Sequence, residues 1–372
     1  TTRLVAAMVR AAGLVVGHTS SDGVVIDSKY VEEGDWTGPG AARTVLRHPS
    51  VQVAVLETAR GGLMRRGLAL AGADVAAVTN VSEDHLGEWG LHSRADMAWA
   101  KLGIAAGVRR GGALVINDGD PALGAALEGL GRADLRVQRF ADAPPTPALH
   151  AWVDEGALWL RGPSGPTRLI DATDVPITLG GTVRFMVENA LCAALIGAEL
   201  GLSLAAIRRG LRDLTPDNGS SRGRLNRYAM PNGGVAVVDF AHNPAGVRGL
   251  IGLVQANRPG RLVILSGLAG DRNDDIADAY ADATATLKPD LIVLKELPDH
   301  RRGRAEGETP AMLRARLRHR GIPDAAMIDI PDEIDASAAA LDAIGPGDLA
   351  LLLIHEQLDG VLALLDRRGA RP

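Results

Sequence analysis

The sequence predicts an α/β protein of two domains: a parallel sheet with flanking helices and a small antiparallel addition, then a Rossmann-like, doubly wound α/β domain. Three observations predict it. From Thr1 to about Asp120, short β-branched runs alternate with helix-period segments, the rhythm of strands joined by crossover helices. The same rhythm returns in the last 150 or so residues. Between the two lies TPDNGSSRGR, a cluster of turn formers and polar residues that reads as a domain boundary. At 372 residues the chain exceeds one ordinary core. We therefore place the first domain at 1–214, a linker at 215–224 and the second domain at 225–372.

Taken in order, TTRLVAAMVRA is an apolar helix pattern, closed by Gly13 and followed by a β-like run. VQVAVLE, ADVAAVTNV and GALVIND are buried-strand runs that end in polar residues or glycine. Between Leu135 and Leu179 the pattern becomes LRVQRF, ALHAWVDEG and ALWLRGPSG, which reads as hairpins. A helix is expected from Thr182 as N-cap to Leu200, stopped by Gly201, and another, capped by Ser203, through Leu214. In the second domain, GGVAVVD, RLVILSG, PDLIVLKEL, AAMIDI and DLALLLIH are strands separated by helices.

Composition narrows the function classes. The chain is 46% hydrophobic and 23% charged, with net charge -5. No broad basic field exists to hold nucleic acid or an anionic membrane. With five Trp, three Tyr and three Phe, base-stacking platforms are scarce. The single Cys192 excludes an intrachain disulfide and suits a reducing compartment. No apolar run is long enough to span a bilayer and no signal peptide opens the chain, so the cytoplasm is expected.

In parallel α/β sheets, ligands gather where strands end at their carboxyl termini. Glu57 ends one such strand, beside two glycines and Arg60, Arg65 and Arg66; a metal-plus-phosphate site and a salt-bridged helix start both fit. Asn80, Asp84 and His85 follow a second strand, where they suit a hard cation or a capping role. Lys101 lies on or near an apolar helix stripe, either desolvated and reactive or snorkelling to solvent. In the second domain Asp239, His242 and Asn243 follow a strand and Pro244 marks a helix start. Arg222, Arg224 and Arg227 lie at the domain junction.

In order along the chain, SSDGVVID, EEGDWTGP, VAVLETARGGL, NVSEDHLG, ENALCAA, GRLN, VVDFAHNPAG, GDRND and RRGRAEGE resemble the Mur ligase family. The likeness is greatest to the branch formed by the Mur-ligase-like C-terminal half of cyanophycin synthetases. It implies a Mur ligase central domain and a Mur ligase C-terminal domain. It also implies an ATP-dependent carbon–nitrogen ligase that forms an amide through an acyl phosphate, with Mg2+ as the metal.

By position, the resemblance implies Glu57, His85 and Lys101 as metal-site and catalytic residues, Lys101 being the lysine that many members carbamylate. Asn80 and Asp84 match the polar pair that supports this site. Asn189 falls at the adenine position, Arg224 at the arginine that reaches the phosphates, and Asp239 at the ribose-binding carboxylate. His242 and Asn243 complete the nucleotide-facing loop. Closure of the second domain over the first is implied as well. Met186 stands where many members have a further Asn, a departure that bears on adenine contacts.

A second departure is larger. Relatives have a strand and a phosphate-binding loop of the form GTNGKT directly before a helix beginning TTRL, and here TTRL is the start. The expectation is a chain truncated at its N-terminus, without that strand and P-loop and inactive as it stands. The branch resemblance implies arginine joined to an aspartate side chain of a poly-aspartate acceptor. Glu296, Asp299, Glu306 and Glu308 suit a guanidinium, although Arg301, Arg302 and Arg304 share their loop. The alternatives are a ligase for another peptide-like or folate acceptor, and a catalytically silent fragment or binding module. No nucleic acid or membrane partner is expected, and a homo-oligomer is left open.

Overall fold

The structure is a computed structural model that describes residues 1–82, 88–216, 222–257 and 260–371. The chain forms two compact units, Thr1–Leu214 and Thr215–Pro372. The first opens with α1 (Thr2–Ala11), which buries Leu4 through Val9. Gly13 then takes φ +78, a backbone state that favours glycine, and turns the chain into β1 (Val16–Ser20). β1 pairs antiparallel with β2 (Gly23–Ile26), and β2 with β3 (Lys29–Glu33). α2 (Pro39–Arg47) leads to β4 (Val53–Leu56), which runs parallel to β1. This sheet has the order β3-β2-β1-β4.

After α3 (Arg60–Arg66) come β5 (Ala73–Val78), α4 (Arg94–Leu102), β6 (Val108–Asn117), α5 (Pro121–Glu128) and β7 (Arg136–Ala141). β8 (Ala151–Asp154), β9 (Ala157–Gly162) and β10 (Gly165–Asp171) follow, giving a second sheet ordered β10-β9-β8-β7-β6-β5. β5 to β8 are parallel neighbours, and β8, β9 and β10 are antiparallel. LRVQRF therefore departs from the hairpin expectation: it becomes β7 and extends the parallel sheet. The cause is α5, the crossover that a parallel return requires. Its N-cap is Asp120, whose side chain accepts from the Ala122 N–H.

α6 (Arg184–Glu199) and α7 (Leu204–Asp213) complete the unit. Ser203 caps α7 through the Ala206 N–H as the sequence suggests. Thr182 does not cap α6: Val183 holds that position, and the Thr182 hydroxyl donates to Leu179 O at 2.8 Å within the preceding glycine turn. Cys192 sits inside α6, fully buried and free, with its thiol pushed up to about 12 by burial.

α1 and α7 meet at Gly210, where an added Cβ would lie 2.4 Å from the Met8 backbone nitrogen. Backbone cannot yield as a side-chain tip can. Gly210→Ala is expected to destabilise the first unit by roughly 1–3 kcal/mol through overpacking, a loss of about 5 °C in Tm by calorimetry.

The second unit is built on one sheet ordered β11-β12-β16-β13-β14-β15. Its elements run β11 (Asn226–Ala229), β12 (Val235–Asp239), α8 (Pro244–Gly249), α9 (Ile251–Asn257), β13 (Leu262–Ser266), α10 (Asp274–Thr286) and β14 (Leu291–Leu294). α11 (Glu308–His319), β15 (Met327–Asp329), α12 (Glu333–Asp342), β16 (Leu349–Leu353) and α13 (Leu358–Arg367) complete it. β12, β16, β13, β14 and β15 are parallel, with β11 antiparallel at the edge. The strand centres are fully buried because helices cover both faces. The α/β class read from the sequence is the class of the structure. No helix among the described residues is long and apolar enough to cross a membrane.

Candidate active site

β4 and β5 are each the terminal strand of their sheet among the described residues, and both line a cavity of about 1150 Å³ in the first unit. Glu57 follows β4 at this cavity. Its position is fixed from below, because its backbone N–H donates to Oγ1 of buried Thr19 at 3.1 Å. Asn80 follows β5, and its backbone oxygen accepts from Lys101 Nζ at 2.8 Å. The ammonium of α4 is thereby anchored to the end of β5, with Met97, Ala98 and Leu102 buried behind it. Lys101 neither snorkels freely nor sits in an apolar interior.

Asn189, on α6, lines the same cavity. Its Oδ1 accepts from the Thr1 hydroxyl at 2.5 Å and its Nδ2 lies 3.8 Å from Met186 Sδ. The sulfur at 186 thus meets the Asn189 amide directly. Glu57, Asn80, Lys101 and Asn189 come from four separate segments to one space. Asp84 and His85 lie outside the described residues. Among the described residues no group of three or more His, Cys, Asp or Glu could hold a metal ion.

The strand-end loop after β5 is held at its base. Asp120 Oδ2 accepts the Val81 N–H at 2.6 Å, and Oδ1 accepts from Arg94 at 3.0 Å and from the Ala122 N–H at 3.1 Å. Arg94 also donates to Val81 O at 3.2 Å. One buried carboxylate therefore ties β5, α4 and α5 together, and the sequence reading missed it; an acidic cap directly after GALVIND was the available signal. Asp120→Ala is expected to cost about 2 kcal/mol, the upper range for a lost helix cap, measured as the shift in urea midpoint.

In the second unit Asp239, His242, Asn243 and Arg224 gather around Phe240. The Arg224 guanidinium lies 4.5 Å over the Phe240 ring centroid. Asp239 is buried and accepts from the Ala241 N–H at 2.8 Å and the Leu225 N–H at 3.0 Å. Burial pushes its carboxyl above the usual aspartate value, against the opposing pull of Arg224 and those two donors. His242 packs edge-on to Phe240 at 5.0 Å, with Nδ1 3.1 Å from Phe240 O. Asn243 is the N-cap of α8, its Oδ1 accepting from the Gly246 N–H at 2.8 Å, with Pro244 in the first turn. Arg222 pairs with Asp359.

The loop after β14 uses most of its own charges. Arg301 makes a bidentate pair with buried Glu296 at 3.0 Å, and Arg304 reaches Glu308 at 2.6 Å. Of the carboxylates suited to a guanidinium, Glu296 and Glu308 are thus paired within the loop. At the neighbouring strand ends stands a fully buried Lys295–Glu333 ion pair, which the sequence reading also missed.

Two family models match the chain: the Mur ligase middle domain over residues 1–197 and the Mur ligase, glutamate ligase domain over residues 223–353. Cyanophycin synthetases of Synechocystis sp. and Crocosphaera subtropica are each 35% identical, covering 99% of this chain. The chain spans only 42% of those proteins. Among solved structures, E. coli FolC in complex with DHPP and ADP is similar at TM-score 0.74 and 19% identity, over 99% of this chain and 86% of that one. A Yersinia pestis folylpolyglutamate synthase/dihydrofolate synthase complexed with AMPPNP and Mn gives TM-score 0.70 and 19% identity, over 98% of this chain and 84% of that one. Likeness at that identity concerns the fold.

Proposed function

The chain belongs to the Mur ligase family, and from that premise we propose that it serves ATP-dependent carbon–nitrogen ligation, joining an amino acid to a carboxylate-bearing acceptor. The likeness to cyanophycin synthetases favours arginine and poly-aspartate as that pair. The observation that carries the reading is the convergence of Glu57, Asn80, Lys101 and Asn189 on one cavity. A reducing, cytoplasmic setting suits the buried free thiol.

The donor chemistry fits a hard divalent cation. Glu57 and Asn80 present oxygen-bearing side chains that are exposed at the strand ends, the ligand type that Mg2+ takes together with phosphate oxygens and water. By the family resemblance, Glu57, His85 and Lys101 are the residues assigned to it. When bound, ATP with the cation would supply the γ-phosphoryl group that activates the acceptor carboxylate as an acyl phosphate with release of ADP, and attack of the amine at the acyl carbon would expel phosphate to give the amide.

The chain's own groups do the rest. Lys101, anchored on the Asn80 backbone oxygen, is the lysine whose carbamylation would give the cation site a carboxylate-like group. Asn189 offers an amide edge to a base. Arg224, braced on Phe240, neutralises phosphate charge. Asp239 retains lone pairs for ribose hydroxyls beyond its two backbone donors.

The test is phosphate release from ATP and Mg2+ with poly-aspartate and arginine, run on this chain and on one carrying the phosphate-binding loop before Thr1, where turnover is expected, beside folate-type and wall-precursor-type acceptors. Turnover confined to the arginine system supports the full reading. Turnover with another acceptor overturns the substrate assignment, and absence of nucleotide and metal binding overturns the ligase assignment.

A further inference from the structure

α3 buries none of its residues, although a helix in a globular unit ordinarily covers one apolar stripe. Arg60 and Leu63 line the cavity already described, while Met64, Arg65 and Arg66 are exposed outside it. The last two also stand apart in their electrostatics. Arg94, Arg109, Arg132, Arg139 and Arg184 of the same unit each pair with an aspartate, whereas neither Arg65 nor Arg66 meets a carboxylate among the described residues. Complementing the dipole at the end of so short a helix needs only one cation.

Trp89 supplies an independent observation. Its backbone lies at φ +56 and ψ +26, the left-handed region that a bulky side chain rarely adopts, and the residue is 54% exposed. Strain and an exposed indole both cost stability, and no burial offsets them. What the conformation achieves is a contact: the Arg65 guanidinium lies over the ring, 5.7 Å from its centroid. Arg65 Nε donates to Gly61 O at 3.0 Å. The guanidinium is thus held at one end and by its face, and its terminal N–H groups offer a carboxylate a bidentate partner.

We propose that Arg65, Arg66 and Trp89 form an acceptor-recognition surface, which binds carboxylates of an acidic peptide next to the one being joined. The patch suits that task by position, because α3 begins just after the Glu57 strand end. At about 1.5 Å per residue the helix is about 10 Å long, a length that about three extended residues span. One ring and two cations match a few carboxylates, not a stacked run of bases. The inference rests on the carboxylate-bearing acceptor proposed above and names the residues that select it.

The experiment is fluorescence anisotropy of a fluorescein-labelled deca-aspartate with the full chain, without nucleotide or metal. We expect Arg65→Gln with Arg66→Gln to weaken binding at least tenfold. The charge-matched pair Arg318→Gln with Arg367→Gln, exposed on α11 and α13, should weaken it less than twofold. Trp89→Gly should weaken binding at least threefold with an unfolding midpoint no lower than that of wild type, since glycine tolerates φ +56. No binding by wild type, equal loss in the two arginine pairs, unchanged binding or a lowered midpoint in Trp89→Gly, or tighter binding of a ten-base oligothymidylate would overturn the proposal. Because no turnover is measured, failure here leaves the ligase reading standing. A chain that binds deca-aspartate through these residues and forms no amide would keep this proposal and lose that reading.

Discussion

In a chain carrying the family's phosphate-binding loop before Thr1, Glu57→Gln is expected to lower ATP-dependent amide formation by roughly 10²–10³-fold, the scale of removing one preorganised electrostatic stabiliser from a reacting centre. The substitution keeps the shape of the side chain and removes its charge. The Thr19 contact is made by the Glu57 backbone, so strand geometry survives. Affinity for Mn2+ in the presence of AMPPNP should fall with turnover, by at least tenfold, and thermal stability should stay within about 0.5 kcal/mol, as for an exposed side chain. Lost turnover with Mn2+ affinity unchanged would place Glu57 outside the metal site. Lost turnover with lost stability would make it a structural residue.

The second large effect lies in the other unit. Lys295 and Glu333 are buried together, and Lys295 Nζ donates to Glu333 and to Leu353 O. Glu333 also accepts backbone N–H groups from His355 at 2.8 Å, Glu356 at 3.0 Å and Gln357. Burial pushes the Glu333 carboxyl upward, and Lys295 with the backbone donors outweighs it, holding the group below its usual value. Glu333→Ala strands a buried ammonium and three N–H groups at once. The expected loss is about 3–5 kcal/mol, or roughly 10 °C in the Tm of the second unit.

Lys295 adds a signature in pH. Burial draws its ammonium down from 10.5 to about 8. From about 8 up to 10.5 the unfolded chain binds more protons at this residue than the folded one, so the Lys295 contribution to stability rises with pH across that window. In Lys295→Met this rise is absent. A difference between wild type and variant that is flat from pH 8 to 10.5 would contradict the account of the pair.

Much of the fold was legible because its signals are local. Gly13 and Ser203 announce their turn and cap by residue type, and the buried strands announce themselves by unbroken apolar runs. β2 and β3 were not legible: each is short, and β3 is exposed along nearly its whole length, so no alternation marks it. LRVQRF looked like a hairpin strand because the crossover α5 is only 8 residues long and rich in alanine.

The candidates Glu57, Asn80 and Asp239 were read from the ends of strands, which is a topological rule more than a pattern. Lys295 and Glu333 escaped because 38 residues separate them, and nothing in either neighbourhood points to the other. Asp120 escaped for a related reason. Its helix cap is local, but its grip on Val81 spans 39 residues.

The central proposal, carried for residue 85 by the family resemblance, is that Glu57, His85 and Lys101 serve one divalent cation. Anomalous scattering from crystals of this chain grown with Mn2+ and AMPPNP tests it most directly. The account predicts a manganese peak within coordination distance of the Glu57 carboxylate and the residue 85 imidazole, with Lys101 alongside. Manganese bound elsewhere, with Glu57 and Lys101 remote from it, would contradict the account.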